Sequence, residues 1–103
     1  MITPKDLFKE MYPKLDWDNE ELTDLFDLMV TRTQALTDRM AKGEIAFDSP
    51  ESKAHEEWLQ EMYGETHNIA ILQYMSKKDG LDANIVKTMI KDMKAEMKAS
   101  GLL

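Results

Sequence analysis

The sequence predicts an all-α domain of about four helices, packed as a small bundle or an orthogonal, globin-like array, with the third helix bent or broken near Gly64. Three observations lead there. Residues that start helices (Thr-Pro, Ser-Pro, Leu-Asp) precede apolar stripes, and glycines follow them. Within those stripes apolar residues recur at three- and four-residue steps, the period of one helix face. No stretch alternates polar and apolar side chains as a half-buried strand does. The 103 residues suffice for one domain, residues 1–103, with no internal repeat.

The first helix is expected over Pro4–Met11. Thr3 is placed to cap it, Pro4 suits the first turn, and Asp6 complements the helix dipole. Leu7, Phe8 and Met11 form its apolar face, and Tyr12-Pro13 ends it because proline disfavours helix in the residue before it. The second helix has Asp18 as expected N-cap with Glu21 at capping-box spacing, and Trp17 with Leu22 at hydrophobic-staple spacing. Its stripe runs Leu22, Leu25, Phe26, Met29, Thr33, Leu36 and Met40, to a stop at Gly43. Ser49-Pro50-Glu51 opens the third helix and Asp79-Gly80 closes it. Leu81-Asp82 opens the fourth, whose expected apolar face is Val86, Met89, Ile90, Met93 and Met97, and Ser100-Gly101 ends it.

Composition narrows the function. Leu, Ile, Val and Phe number only 22, and nine methionines supply much of the remaining apolar volume, so the interior is adaptable. The net charge of −7 opposes the basic face that direct nucleic-acid binding requires. Residues 1–76 hold 7 basic and 16 acidic groups, against 6 and 4 in residues 77–103. The absence of cysteine removes disulfides and thiol chemistry. The opening MITPKDLFKE is charged too early for a secretory signal, and no apolar run reaches membrane-spanning length, so a cytoplasmic location and no membrane span are expected.

Gly64 lies between two helical segments, where it costs about 1 kcal/mol relative to Ala. It is expected either to join two packed helical pieces or to bend the helix around a ligand. The segment after it, Ile69–Met75, is apolar on nearly all sides and is expected to be the most buried. His55 and His67 stand about 120° apart on a straight helix and belong to no Glu-x-x-His pair, so no metal or cofactor is expected. Glu20, Glu21 and Asp24 have the E-E-x-x-D pattern of helical, magnesium-dependent nucleotide pyrophosphohydrolases, with Glu57 and Glu61 as the only available partners on another helix. Lys87, Lys91, Lys94 and Lys98 line one flank of the last helix, as solvated neighbours of a core stripe or as a basic docking face.

The stretch DWDNEELTDLFDLMVTRTQALTDRMAKGEIAFDSPESKAHEEW has a Trp-led helix, a Met-x-x-Gly-Glu stop, an Asp-Ser-x-Glu start, and then Ala and His. In that order it resembles the TipAS antibiotic-recognition domains, found behind MerR-type DNA-binding modules, over residues 16–100. The resemblance implies a globin-like set of helices enclosing a cleft for thiopeptides and other drug-like ligands. It places Trp58, Met62, Tyr63, His67 and Tyr74 near that cleft, where aromatic and Met side chains give contact area and polar tips fix orientation. It does not cover Pro4–Met11, and the chain has no helix-turn-helix module to carry a transcriptional output.

The expected function is therefore a non-catalytic recognition domain that binds an apolar small molecule or peptide through a Met/aromatic surface. The alternatives are a small acidic protein-interaction module or inhibitor, host- or phage-encoded, and the magnesium-dependent enzyme. A homodimer is left open.

Overall fold

Capping chemistry sets the boundaries of four helices in the computed structural model, which describes residues 2–103. They are α1 (Pro4–Met11), α2 (Glu20–Ala41), α3 (Pro50–Asp79) and α4 (Ala83–Ala99), and no strand occurs among the described residues. At the start of α1, Thr3 and Asp6 form a reciprocal capping box, each satisfying the other's backbone N–H. Ser49 caps α3 through the Ser52 N–H, and Asp82 caps α4 through the N–H groups of Asn84 and Ile85.

Gly43 and Gly101 take the left-handed conformation that closes α2 and α4. Beyond each glycine the N–H of Glu44 or Leu102 turns back to the carbonyl of Arg39 or Met97. The second closure buries Leu102 on Met97 and delivers the Leu102 carbonyl to the Trp58 indole N–H at 2.8 Å.

The expected cap of α2 is corrected. Helix α2 begins at Glu20 with Asn19 as N-cap, and the Asn19 side chain makes no cap bond. Asp18 is held instead by the ammonium groups of Lys5 and Lys9, at 2.6 and 2.8 Å, which tie α1 to the loop before α2. The Trp17–Leu22 half of the expectation agrees with the structure, since both side chains are buried in the core.

Helices α2 and α3 lie antiparallel along their length. Asn19 faces Gln73 through two reciprocal amide hydrogen bonds of 3.0 Å, Thr33 faces His55 at 2.9 Å, and Met40 faces Ser52 at 3.6 Å. Helix α4 returns alongside α3, and α1 packs Phe8 against Trp17, Phe26 and Tyr63. The core is confined to one end. Buried residues of α2 stop at Met29 and those of α3 start at Met62, so the remainder of this helix pair projects as a two-helix arm with only a half-buried seam. The molecule measures 52 × 30 × 17 Å. It exposes 7038 Å², about 1,100 Å² more than the scaling for a compact monomer of 11.9 kDa.

Two further expectations change. Helix α3 runs unbroken through Gly64, which has ordinary helical backbone, so the broken alternative is not realised. Met89 is 45% exposed and leaves the expected apolar face of α4, because α4 meets the core through a ridge of Val86, Ile90, Met93 and Met97.

Candidate functional site

Helix α1 is amphipathic but too short to hide its whole apolar face. Phe8 enters the core, whereas Leu7, Met11 and the following Tyr12 remain 42%, 61% and 37% exposed. These side chains and Pro4 form one wall of a groove of about 280 Å³, and Tyr63, Gly64 and His67 of α3 form the other. The groove backs onto a stack of rings. Phe8 lies 4.6 Å from Trp17 and 5.6 Å from Tyr63, and the Tyr12 ring lies 4.5 Å from His67. The end of α1 is fixed by the Trp17 indole N–H, which donates to the Tyr12 carbonyl at 3.0 Å. Gly64 contributes depth: a methyl group placed on it would meet nothing within 4 Å.

The polar tips set what this groove can do. Burial pushes the Tyr63 phenol above its ordinary pKa, so it keeps its proton and can donate a hydrogen bond across the neutral range. No carboxylate or ammonium group lines the groove. The arrangement presents an apolar concave surface with two polar ring tips, those of Tyr63 and His67.

The five residues singled out from the sequence separate in space. Tyr63 and His67 meet in the groove. Met62 is fully buried and acts as core. Trp58 packs under the Arg32 guanidinium, 4.4 Å above its ring, and donates to Leu102. Tyr74 lines a second cleft of about 330 Å³, where the start of α2, the end of α3 and the start of α4 converge over a floor of Ala70, Val86 and Ile90. Sequence reasoning missed Leu7, Met11 and Tyr12 as groove residues. Their signal was an apolar face on an eight-residue helix with little core to bury it.

The acidic positions of the enzyme alternative also separate. Glu20, Glu21 and Asp24 gather with Lys94, whose ammonium group pairs with Glu21 at 3.3 Å. Glu57 and Glu61 stand seven and three positions before Gly64, on the groove face of α3. Among the described residues no three His, Asp or Glu side chains are arranged to hold a metal ion, and no helix is long and apolar enough to cross a membrane.

Comparison with protein-family models, with curated proteins and with solved structures finds no match to this chain.

Proposed function

We propose that this chain is a non-catalytic recognition domain that takes an apolar small molecule or peptide segment in the groove between α1 and α3. One observation carries the reading: Leu7, Met11 and Tyr12 stay exposed together, opposite Tyr63, Gly64 and His67. Scattered exposed apolar residues need no explanation, but a concave aromatic and thioether surface of ligand size does. The long thioether of Met11 can repack around ligands of different shape. The resemblance to TipAS-type domains is a precedent for ligand capture between helices, although α1 lies outside the span it covers. Lys94, already seated among Glu20, Glu21 and Asp24, supports the non-catalytic reading over the magnesium-dependent one.

The test uses N-phenyl-1-naphthylamine, a neutral apolar fluorophore. In a Trp58→Phe background, binding should change the emission of Trp17, which stacks behind the groove, and should raise the melting temperature by mass action. Gly64→Trp, which plugs the groove from an exposed helix position, should abolish both effects. Equal responses from the plugged and open proteins would remove the groove as the binding site.

A further inference from the structure

The groove ends at His67, but the α3 face that walls it runs on toward the end of the helix. Gly64, His67, Ile71 and Met75 follow one another at three- and four-residue steps, so they share a face of α3 about 17 Å long. Ile71 is half-buried and Met75 is exposed along this path. Asn68 interrupts this otherwise apolar face, a track whose length accommodates about three turns of a helix and exceeds what a compact small molecule covers.

The groove lining is uncharged, and carboxylates unpaired among the described residues flank it on both helices. Glu57 and Glu61 share the face of Gly64, and Glu10 follows Leu7 by three positions on α1. All three are exposed, and none makes an ion pair among the described residues. Lys5 and Lys9, the nearby cations of α1, are drawn away to Asp18. At the far end of the track Lys77 is held by Asp16, and Lys78 lies 5.8 Å from the Tyr74 ring centre.

We propose that the occupant of this groove is a basic amphipathic helix of a partner protein. The inference rests on the groove being a binding surface and specifies what it takes. The helix lays an apolar stripe along Met11, Gly64, His67 and Met75, and its Lys or Arg flank meets Glu10, Glu57 and Glu61. The acidic rim steers and selects the partner, while the apolar track supplies the grip.

Two synthetic helical peptides of about five turns test this, sharing one leucine spacing and differing in a Lys-rich or Glu-rich polar face. Fluorescence anisotropy of the labelled peptides is read with wild type, with Gly64→Trp, and with the double variant Glu57→Lys/Glu61→Lys, each checked for folding by circular dichroism. Met11→Gln, at an exposed position, replaces Gly64→Trp if the latter fails to fold. The expected result is one-to-one binding of the Lys peptide, about tenfold tighter than the Glu peptide at low salt and weakened by added salt. Gly64→Trp should lose it, and the double variant should reverse the preference. Lys-peptide binding unaffected by Gly64→Trp would show mere attraction to an acidic surface and overturn the proposal. Equal binding of both peptides would overturn it as well. If N-phenyl-1-naphthylamine still binds in the groove while neither peptide does, the apolar site stands and the basic-helix partner falls. If none of the three probes binds, both fall.

Discussion

Replacing Gly64 with alanine adds one methyl group at the middle of a 30-residue helix. The backbone there is ordinary helix, the position is exposed, and the added carbon meets nothing within 4 Å. Neither steric cost nor packing gain therefore enters, and the effect reduces to the difference in helix propensity, about 0.8–1 kcal/mol in favour of alanine. For a domain of this size that corresponds to a rise in melting temperature of about 4 °C. Thermal and urea melts followed by circular dichroism would measure it. An unchanged or lowered midpoint would refute the reasoning, because it would require a close neighbour or a non-helical backbone at this residue. The methyl also narrows the groove, so the stabilised variant should bind apolar ligands more weakly.

Met62→Ala should cost about 2–4 kcal/mol, since the side chain is fully buried in the core, whereas Met89→Ala on the exposed side of α4 should stay within roughly 0.5 kcal/mol. Similar costs in urea denaturation would contradict the placement of α4. Ser49→Ala should remove the N-cap of α3 and destabilise by about 1 kcal/mol, read from the same melts; no effect would mean the cap bond to Ser52 is not maintained in solution. His55 carries a pH dependence. Burial, and then the nearby Arg32 charge, hold its imidazole below the ordinary value of 6.5, so the folded state favours the neutral ring. The unfolded chain then binds the extra proton, and stability present above about pH 6.5 declines as pH falls through that value, until the folded ring protonates too. Melting temperatures between pH ~7.5 and ~5.5 should fall in wild type and fall less in His55→Gln; a parallel decline in both would assign the effect elsewhere. The depressed carboxyls of Asp18, through Lys5 and Lys9, and of Asp6, through Thr3, lose their contribution only below their ordinary range near 3.8, a separate window.

The helix boundaries were legible because their causes are local. Ser49-Pro50 and the glycines at 43 and 101 act within one turn of themselves. Asp18 was misread because its competing partners, Lys5 and Lys9, are brought to it by α1, and no capping pattern encodes that contact. Gly64 was visible as an anomaly, but its propensity says nothing of whether another helix crosses above it. Met89 is placed on the core face by its spacing and Met62 near the cleft, yet Met62 is the buried one and Met89 the exposed one. Periodicity identifies an apolar stripe but not how much of it a neighbouring helix covers. Of the residues placed in one expected cleft, Tyr63 and His67, one helical turn apart, share the groove, whereas different helix partners claim Trp58 and Tyr74.

The projecting end of α2 and α3 makes the molecule a zipper with one anchored end. Its seam there consists of Thr33, Leu36 and Met40 against Ser52, His55 and Leu59, all only half-buried, with Phe47 87% exposed at the bend between the helices. Opening should begin at that bend and travel inward until it meets Met29 and Met62. Amide hydrogens on the outer turns should then trade with solvent through partial openings, while those flanking the core wait for complete unfolding. The rigid end can thus hold the groove in shape while the free end breathes.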